Sequence, residues 1–307
     1  MKQKIAILGS TGSIGVNTLE IIKSKKKNYD IILLTAKRNY KLLEQQVKSF
    51  SVKNIVLYDY GKYLLLKEKF KKKKINVFSD FKSFKLHNKN KKVDYTMCAI
   101  SGLHGLKPLL EAISISKKVA IANKESIICG WNLIIKKLKK YNTKFVPVDS
   151  EHFSIWNLVK NNKNEKIKKI IITASGGPFL KIDNLKLKKI KVKDAIKHPN
   201  WKMGKKISVD SSTLMNKIFE VIEAYKIFNY DFNKYEIFIH PQSYVHAIVQ
   251  FKNGLTKILI HDTDMKIPIA NTLNENNKNF SINSNNVDPK KLNKIEFFSV
   301  DKKRFPV

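Results

Sequence analysis

The first half of the chain alternates short apolar runs with segments of helical length, and this alternation restricts the possible folds more than any other feature. The apolar runs predict six β-strands, at Lys4–Leu8, Ile31–Thr35, Asn54–Tyr58, Tyr95–Ile100, Val119–Ala122 and Phe145–Val148. The segments between them include predicted helices at Gly15–Ser24, Tyr40–Phe50, Tyr63–Lys72, Gly105–Ile115 and Glu125–Lys140. Strands that alternate with helices of this length form βαβ units. The sequence therefore predicts an α/β domain with a doubly wound parallel sheet over residues 1–149.

The pattern changes after Glu151. Helices are predicted near Phe153–Lys160 and from Ser212 to Phe228, and strands at Lys168–Thr173, Glu236–Ile239, Val245–Phe251 and Leu255–Ile260. The Asn-Gly pair between the last two strands is typical of a hairpin turn. We therefore expect an α+β domain with a mostly antiparallel sheet over residues 150–273. Residues 274–307 are rich in Asn and Lys with little core pattern, so we expect a linker-like C-terminal tail there.

The chain carries a large excess of basic residues, with 60 Lys+Arg against 25 Asp+Glu and a formal net charge of +35. Such an excess suggests nucleic-acid binding. However, the lysines are spread through nearly every predicted helix and loop, and Lys far outnumbers Arg. We therefore interpret the charge as solvated surface that attracts phosphorylated ligands, and we expect no nucleic-acid partner.

The cysteines and the apolar segments indicate the compartment. Cys98 and Cys129 lie in apolar surroundings, which suggests buried thiols in a reducing environment rather than a disulfide framework. The N-terminus runs directly into a predicted strand without a signal-peptide pattern. No apolar run in the sequence is long enough to span a bilayer. These features predict a cytoplasmic protein with no membrane partner.

A glycine-rich segment, Gly9-Ser-Thr-Gly-Ser-Ile-Gly15, connects the first predicted strand to the first helix. Glycines at this position permit a tight turn, close backbone approach to a pyrophosphate and close helix–strand packing. The amides at the helix start would face the anion. An ordinary turn is the alternative for such a loop taken alone, but its place in a βαβ series favours a Rossmann-type dinucleotide site.

The end of the second predicted strand favours NADPH over NADH. NAD-binding sites usually carry an acidic residue here, which accepts hydrogen bonds from the ribose 2′-hydroxyl. In this chain the strand leads to Lys37, Arg38 and Asn39, and Asp30 lies at the opposite end. Cations at this position suit the 2′-phosphate, so we predict NADPH as the cofactor.

Two carboxylates, Asp149 and Glu151, follow the last predicted strand of the first domain, with Ser150 between them. On an extended segment the two carboxylates would point to the same side. Like charges held together in a partly dry cleft need a cation or a shared proton. Oxygen ligands favour a hard ion such as Mg²⁺ or Mn²⁺. A solvated strand end is the alternative for this segment taken alone.

Two further segments offer groups for a ligand. Asn123, Lys124 and Glu125 follow a short buried strand and begin a helix. Because the carboxyl ends of strands in an open α/β sheet line the ligand crevice, Lys124 is a candidate to reach a substrate oxygen. A solvated helix start is the alternative for Lys124, and complementation of the helix dipole is the alternative for Glu125. Ser175 precedes a Gly-Gly-Pro turn that suits an anion, although ordinary turn chemistry is equally compatible with it.

The polar loop from His198 to Lys205 contains two apolar side chains, Trp201 and Met203. Because these side chains are costly to leave in water, the loop is expected to cover something. A mobile lid and packing on its own domain are the two alternatives.

The predicted helix after this loop combines polar groups on one face. Asn216 and Glu220 are four residues apart and share that face, with Glu223 one turn further on. Ser211 lies near the predicted helix start, where a phosphate is favoured. The helix is therefore a candidate to offer Ser211, Asn216 and Lys217 to a phosphate and Glu220 to a cation. Taken alone, Glu220 is explained more simply as an exposed helix carboxylate.

Together these segments resemble the 1-deoxy-D-xylulose 5-phosphate reductoisomerases of the methylerythritol phosphate route to isoprenoids. The match occurs in chain order across nearly the whole sequence. The matching segments are Gly9–Gly15, Ala122–Ser126, Pro147–His152, Ser175–Phe179, His198–Ser211, Met215–Lys217 with Glu220, and Ile239–Ser243.

The resemblance implies an NADPH- and divalent-metal-dependent rearrangement and reduction of 1-deoxy-D-xylulose 5-phosphate, a small phosphorylated sugar, to 2-C-methyl-D-erythritol 4-phosphate. The implied metal ligands are Asp149, Glu151 and Glu220, and the implied phosphate-binding residues are Ser175, Ser211, Asn216 and Lys217. Contacts to the rest of the substrate are implied for Lys124, Ser150, Glu151 and His198, with Trp201 in a closing flap near residues 198–205. The implied catalytic residues are Lys124, Asp149, Glu151, His198 and Glu220. The NADPH contacts are implied to be Thr11, Gly12, Ser13, Ile14, Asn123, Glu125 and Gly204, beside Lys37, Arg38 and Asn39. Members of the family are typically homodimers.

The chain departs from the family pattern at three places. Lys37-Arg38-Asn39 stands where a Gly-Lys-Asn-like turn is common, and Ile218 replaces a glycine that commonly follows the Asn-Lys pair. Family members also continue into a C-terminal helical domain. Alternative functions are another NADP-dependent, metal-assisted reductase of a phosphorylated carbonyl compound, a basic nucleic-acid-binding protein, or an inactive relative.

Lys37 and Arg38 predict a measurable cofactor preference. We expect a marked preference for NADPH over NADH, because cations pair with the 2′-phosphate that only NADPH carries. Steady-state rates with the two cofactors at equal concentrations check this prediction. Comparable turnover with NADH would refute it.

Overall fold

The computed structural model of the protein describes residues 2–89, 91–160, 166–187, 189–196, 200–201, 204–275, 277, 280–282 and 287–305. The chain forms two compact units. One comprises Met1–Val148 and Pro268–Ile282, and the other comprises Asp149–Ile267 and Asn283–Val307. Each unit is built on its own β-sheet.

The first unit consists of strands that alternate with helices. Its strands are β1 (Gln3–Leu8), β2 (Tyr29–Ala36), β3 (Asn54–Leu57), β4 (Asn76–Phe78), β5 (Tyr95–Cys98), β6 (Lys118–Ile121) and β7 (Lys144–Pro147). Its helices include α1 (Ser13–Ser24), α2 (Tyr40–Phe50), α3 (Tyr60–Phe70), α4 (Phe81–His87), α5 (Leu106–Ile113) and α6 (Lys124–Tyr141). Within the described residues the strands form a parallel sheet in the order β4-β3-β2-β1-β5-β6-β7. The predicted doubly wound α/β fold is confirmed.

The strand order explains why the inner strands are continuous apolar runs. The chain moves outward from β1 through β2 to β4, then returns beside β1 and moves outward the other way through β5 to β7. In a doubly wound sheet of this strand order, right-handed crossovers in opposite directions place helices on both faces. Successive residues of β1 are accordingly buried, with Ile5 and Ile7 at 0% exposure and Ala6 at 1%.

The sequence patterns do not predict β4 and α4. Strand β4 has three residues at the sheet edge, and none of them is fully buried. Helix α4 has seven residues, and its first turn is held by Asp80, whose carboxylate accepts a hydrogen bond from the Ser83 amide at 2.8 Å. Elements this short show too little periodicity to be recognised in a single sequence.

The second unit mixes helices with a sheet that is mostly antiparallel. Its strands are β8 (Ile167–Ala174), β9 (Tyr235–Ile239), β10 (Val245–Phe251), β11 (Thr256–Ile260) and β12 (Phe298–Ser299). Its helices include α7 (Ser150–Val159), α8 (Asn184–Leu187), α9 (Val192–Ala195), α10 (Lys205–Ser212) and α11 (Met215–Phe228), and α12 (Lys266–Leu273) begins at its edge. Within the described residues the strand order is β11-β10-β8-β9-β12, and only the β8–β9 pair is parallel. The predicted mostly antiparallel sheet is confirmed.

Helices α7 and α11 share one apolar core with this sheet. Ile155 of α7 and Ala224 of α11 are both at 0% exposure and pack with Ile170 and Ile172 of β8 and Val249 of β10. This packing holds the start of α7 close to the first half of α11. The carboxylates predicted on the two segments are thereby brought together.

Residues 287–305 pack on the second unit and do not form the expected linker-like tail. Strand β12 pairs with β9, and Phe305 is buried at 4% exposure against Ala174, Leu214 and Ile239. Phe297 packs on a second cluster of the same unit. The apolar residues of this segment are spaced without helix or strand periodicity, which is why the sequence pattern does not reveal their burial.

The segment after Ile267 also differs from the expected domain boundary at residue 273. From Pro268 onward, α12 belongs to the first unit. The hydroxyls of Tyr95 and Thr272 lie 3.0 Å apart, and the Tyr29 hydroxyl donates to the Asn274 side chain at 2.7 Å. These contacts join residues far apart in sequence, so local patterns give no sign of them.

Two observations bear on the expected compartment. Cys98 is buried, whereas Cys129 is exposed, so the expectation of two buried thiols is wrong for Cys129, which lies on the solvent face of α6. None of the helices in the described part of the chain combines the length and the apolar character that crossing a bilayer requires.

Phe305 and Phe298 allow a matched test of the packed tail. We expect Phe305→Ala to lower the free energy of unfolding by about 3 kcal/mol, because it empties part of a buried cluster. Phe298→Ala removes a side chain that is 51% exposed and should cost less than about 1 kcal/mol. Urea denaturation of the two variants checks the difference. Equal effects would show that the tail is not anchored through Phe305.

Candidate active site

Three carboxylates converge in the second unit. Asp149, Glu151 and Glu220 each place one carboxylate oxygen within 4.8 Å of the others. Asp149 and Glu151 are partly buried at the start of α7, and Glu220 lies in α11 at 2% exposure. Glu220 is therefore not the exposed helix carboxylate that the simpler interpretation favoured.

The backbone that presents Asp149 and Glu151 is helical rather than extended. Strand β7 ends at Pro147, and Asp149 caps α7, with its carboxylate accepting a hydrogen bond from the Glu151 amide at 3.3 Å. The expectation that strand alternation aligns these two side chains is wrong. They come together because Asp149 folds back over the first turn, where orphan amides attract an anion.

Lys217 lies between two of these carboxylates. Its Nζ atom is 2.7 Å from Glu151 Oε1 and 2.5 Å from Glu220 Oε2. Burial by itself lowers the pKa of Lys217, but the neighbouring Glu151 and Glu220 outweigh this effect and raise the pKa above its usual value. Lys217 is thus a buried ammonium at 5% exposure.

The other oxygens of Glu151 and Glu220 also receive donors. The Ser150 hydroxyl donates to Glu151 Oε2 at 2.5 Å, and the Asn216 amide donates to Glu220 Oε1. Ser150, Asn216 and Lys217, which the resemblance associates with the substrate, therefore contact the candidate metal ligands directly.

His152 connects the two helices from a buried position, and the sequence patterns assign it no role. Its Nδ1 atom is 3.1 Å from Asp149 Oδ1 and 3.5 Å from Glu223 Oε2. Its Nε2 atom is 2.8 Å from the backbone carbonyl of Glu220. Acceptors thus lie near both ring nitrogens, an arrangement that favours the doubly protonated imidazolium.

The charges around His152 agree with this protonation state. Burial lowers the pKa of His152, but Glu223 and Asp149 raise it to about 10 in sum. The signal in the sequence is the pairing of a histidine in the first turn of α7 with Glu223, which lies one turn beyond Glu220 on α11. That pairing is recognisable only when the two helices are known to touch.

The glycine loop joins β1 to α1, as its sequence predicts. Gly9 has φ of +84°, and Gly12 caps α1, so Thr11, Ser13 and Ile14 belong to the turn and the first helical residues. A Cβ atom on Gly15 would lie 2.4 Å from the Gly9 carbonyl oxygen. Only glycine permits this close packing of helix on loop.

The end of β2 lies beside this loop in the same unit. The Gly9 amide donates to the Thr35 hydroxyl at 3.0 Å, and the Ser10 amide donates to the Thr35 carbonyl at 2.8 Å. Lys37 and Arg38 follow β2 with exposed side chains, and Arg38 is 3.6 Å from Asp59. Asn39 caps α2 by accepting from the Leu42 amide at 3.2 Å. The basic residues are therefore presented at the same sheet edge as the glycine loop.

Asn123, Lys124 and Glu125 stand at the carboxyl end of β6, as predicted. Asn123 is buried and caps α6, accepting from the Ser126 amide at 2.7 Å and donating to the Gly102 carbonyl at 2.8 Å. Lys124 and Glu125 form the first residues of α6 and are partly exposed. The cap formed by Asn123 fixes the start of α6 and therefore the positions of Lys124 and Glu125.

Ser175 and Ser211 belong to segments that touch in the second unit. A Cβ atom on Gly177 would lie 2.7 Å from the Ser211 carbonyl oxygen, and the Ser175 hydroxyl accepts from the Gly177 amide at 3.0 Å. The structure thus brings two of the candidate phosphate residues into one region.

Ser211 does not lie at the start of the long helix, contrary to expectation. It stands near the end of α10, and its hydroxyl donates to the Ile207 carbonyl at 2.8 Å. The predicted helix from Ser212 is interrupted at Leu214, which has φ of +62° and is buried at 4% exposure. Burial of the Leu214 side chain stabilises this left-handed residue, and α11 starts only at Met215.

Comparison with known proteins gives the family. A profile described as 1-deoxy-D-xylulose 5-phosphate reductoisomerase matches residues 5–130, and one for the C-terminal domain of that enzyme matches residues 145–228. The 1-deoxy-D-xylulose 5-phosphate reductoisomerase of Pelagibacter ubique is 57% identical over 306 residues, which cover 99% of this chain and 79% of that protein. The chain belongs to the 1-deoxy-D-xylulose 5-phosphate reductoisomerase family.

Solved structures of 1-deoxy-D-xylulose 5-phosphate reductoisomerases share the fold. The Zymomonas mobilis enzyme in complex with NADPH has a TM-score of 0.89 and 36% identity, covering 100% of this chain and 79% of that one. A DOX-P reductoisomerase in complex with NADPH, fosmidomycin and magnesium has a TM-score of 0.90 and 33% identity, covering 99% and 77%. The similarity extends over both units of this chain.

The described part of the predicted reductoisomerase flap packs on its own unit. Trp201 makes an edge contact with the His246 ring at 5.9 Å between centroids. The Asn200 side chain donates to the Pro241 carbonyl at 2.7 Å. Gly204 is exposed and caps α10. His198 lies outside the described residues.

A stacked histidine pair, His246 and His261, is a further feature that the sequence patterns do not reveal. The ring centroids are 3.7 Å apart, and the His246 Nε2 atom donates to the His261 carbonyl at 3.1 Å. Burial lowers the pKa of His246 to about 3, and burial also lowers that of His261. His246 of this pair is the ring that Trp201 contacts.

The donor set fits a hard divalent cation. Three carboxylates within 4.8 Å offer oxygen ligands only, which Mg²⁺ and Mn²⁺ prefer. The position of the Lys217 ammonium shows directly that this group of oxygens attracts a cation. Asp149, His152 and Glu223 form a second possible set, but it replaces one oxygen ligand with a histidine nitrogen, which a hard ion favours less. The first set is therefore the better candidate.

His152 is expected to contribute strongly to stability. His152→Gln removes the imidazolium beside Asp149 and Glu223 and should lower the free energy of unfolding by about 3 kcal/mol. Lys169→Gln breaks an ion pair with Glu236 whose side chains are 39% and 37% exposed, and it should cost less than about 1 kcal/mol. Urea denaturation at neutral pH compares the two. A His152 variant as stable as the control would contradict the buried charge cluster.

Proposed function

We propose that this chain converts 1-deoxy-D-xylulose 5-phosphate to 2-C-methyl-D-erythritol 4-phosphate, with NADPH as the reductant and Mg²⁺ or Mn²⁺ as the metal. The observation that carries this conclusion is the convergence of Asp149, Glu151 and Glu220 in a chain of the reductoisomerase family. Relatives of known structure are described in complex with NADPH, magnesium and fosmidomycin.

Asp149, Glu151 and Glu220 would hold the divalent ion. The bound ion would supply Lewis-acid stabilisation of negative charge on the ketone and neighbouring hydroxyl oxygens. His152 holds Asp149 in place through its Nδ1 atom and ties α7 to α11 through the Glu220 carbonyl. These contacts fix the positions of the metal ligands Asp149 and Glu220 before the substrate binds.

The substrate phosphate would be bound by Ser175, Ser211, Asn216 and Lys217. The contact of Gly177 with the Ser211 backbone supports a shared location for two of these residues. Binding of a remote phosphate orients the reacting carbons and favours flap closure. Contacts with the rest of the substrate are proposed for Lys124, Ser150, Glu151 and His198, with Trp201 in the flap.

The first unit would bind NADPH, which supplies the hydride. The proposed contacts in this unit are Thr11, Gly12, Ser13, Ile14, Lys37, Arg38, Asn39, Asn123 and Glu125, and Gly204 of the second unit is a further proposed contact. A Cβ atom on Gly9 or Gly15 would clash with neighbouring backbone atoms, so the tight turn that a dinucleotide loop needs is possible only with glycine at these positions. We further propose a homodimer located in the cytoplasm, on the basis of the family resemblance.

The decisive experiment follows NADPH oxidation by the purified chain with 1-deoxy-D-xylulose 5-phosphate. We expect turnover that requires Mg²⁺ or Mn²⁺ and stops on chelation. The carbon skeleton of the product, determined by ¹³C NMR, should be branched. A product with the unbranched skeleton would indicate simple reduction by a different reductase, and absence of turnover would indicate an inactive relative.

Variants of the metal ligands test the assignment of the site. Asp149→Asn and Glu220→Gln should each lower kcat by at least about a hundredfold, since each removes a charged ligand of the ion that offsets oxyanion charge. NADPH affinity, measured by fluorescence, should be unchanged. Glu236→Gln, a surface carboxylate paired with Lys169, serves as the control and should keep full activity. Substantial activity in Asp149→Asn or Glu220→Gln would count against metal ligation.

A further inference from the structure

Lys217 and Asn216, which are proposed to bind the substrate phosphate, contact two of the carboxylates that are proposed to bind the metal. Lys217 contacts Glu151 Oε1 at 2.7 Å and Glu220 Oε2 at 2.5 Å. Asn216 donates to Glu220 Oε1, and Ser150 donates to Glu151 Oε2. Each of the four carboxylate oxygens of Glu151 and Glu220 thus lies against the Lys217 ammonium, the Asn216 amide or the Ser150 hydroxyl.

A divalent ion and the Lys217 ammonium compete for the same oxygens. Mg²⁺ binds carboxylate oxygens at roughly 2.0–2.1 Å, so an ion held by Glu151 and Glu220 would occupy nearly the space of the ammonium. Two cations this close in a partly dry cluster repel strongly. Lys217 therefore has to leave Glu151 and Glu220 before the ion binds them fully.

A phosphate gives the displaced ammonium an alternative partner. Lys217 is the third residue of α11, and Asn216 is the second, so both lie in the first turn, where backbone amides also favour an anion. A phosphate monoester bound there would draw Lys217 and Asn216 away from Glu151 and Glu220. The same side chains cannot serve the phosphate and the carboxylates fully at once.

We propose that Lys217 is an exchangeable counter-ion that makes phosphate binding and divalent-metal binding strengthen each other. Metal binding releases Lys217 toward the phosphate, and phosphate binding frees Glu151 and Glu220 for the metal. Because coupling between two sites is reciprocal, each ligand raises the affinity for the other by the same factor. This inference rests on the proposed function, since it uses the metal and phosphate sites assigned there.

His152 explains how the cluster keeps its shape during the exchange. Its side chain is at 0% exposure, contacts Asp149 and Glu223, and is bonded to the Glu220 carbonyl. None of these contacts involves Lys217. The buried His152 ring therefore continues to hold α7 against α11 when the ammonium moves.

Mn²⁺ affinity, followed by electron paramagnetic resonance of free Mn²⁺, tests the proposal without turnover. With the wild-type chain, methyl phosphate as the probe should tighten Mn²⁺ binding by about tenfold, within the usual range of site coupling. Lys217→Met should bind Mn²⁺ about tenfold more tightly than wild type in the absence of the probe, and methyl phosphate should then have little effect. A blank titration corrects for the complex of Mn²⁺ with methyl phosphate in solution.

Lys206→Met is the matched control, because Lys206 pairs with Asp210 on α10 and its loss removes one positive charge of the same unit. If Lys217→Met binds Mn²⁺ no more tightly than Lys206→Met, the proposal is overturned. If Lys217→Met does not fold, the wild-type titration still decides, since unchanged Mn²⁺ affinity with methyl phosphate overturns the proposal.

Asp149→Asn separates this failure from failure of the proposed function. Loss of Mn²⁺ binding in Asp149→Asn supports the metal site, whatever the result with Lys217→Met. If Asp149→Asn leaves Mn²⁺ affinity unchanged, the metal site itself is wrong, and the exchange proposal is overturned with it.

Discussion

Carboxylates held close together in a partly buried site repel one another, and the second unit depends on the cations that offset this repulsion. Asp149, Glu151, Glu220 and Glu223 come from α7 and α11, and their charges are met by Lys217 and His152. The two cations have different roles. His152 is enclosed and contacts both α7 and α11, whereas Lys217 contacts the oxygens that a metal ion would use.

This arrangement links packing to chemistry. The apolar contacts of Ile155 and Ala224 with β8 bring α7 and α11 together, and the polar groups at their ends then form the candidate site. In the first unit, a different constraint operates. Gly9 and Gly15 leave no space for side chains, so the loop packs closely against α1 and the end of β5. Electrostatic interactions therefore determine the candidate metal site of the second unit, and steric exclusion determines the glycine loop of the first.

Much of the fold could be predicted from the sequence, because buried parallel strands are continuous apolar runs and the glycine loop has a recognisable pattern. The candidate carboxylates were also recognisable, but the backbone around them was not. Asp149 was expected on a strand and caps a helix, and Ser211 was expected at the start of α11 and lies in α10. Both differences arise from single residues whose conformation is decided by capping or by burial, as with Leu214.

The partners of the site residues could not be predicted, because they are set by contacts between distant segments. His152 precedes Glu223 by more than seventy residues, and Phe305 is buried against strands far earlier in the chain. Single-sequence periodicity reports which face of an element is buried but not what packs on it. For the same reason, the sequence predicts a phosphate contact for Lys217 but gives no sign of its contact with Glu151.

The most direct test of the central claim is an anomalous-scattering map from crystals grown with Mn²⁺. The account predicts one strong manganese peak in the second unit, coordinated by one oxygen from each of Asp149, Glu151 and Glu220, with Lys217 moved away from it. A manganese peak elsewhere, or a peak that lacks Glu220 as a ligand, would contradict the account.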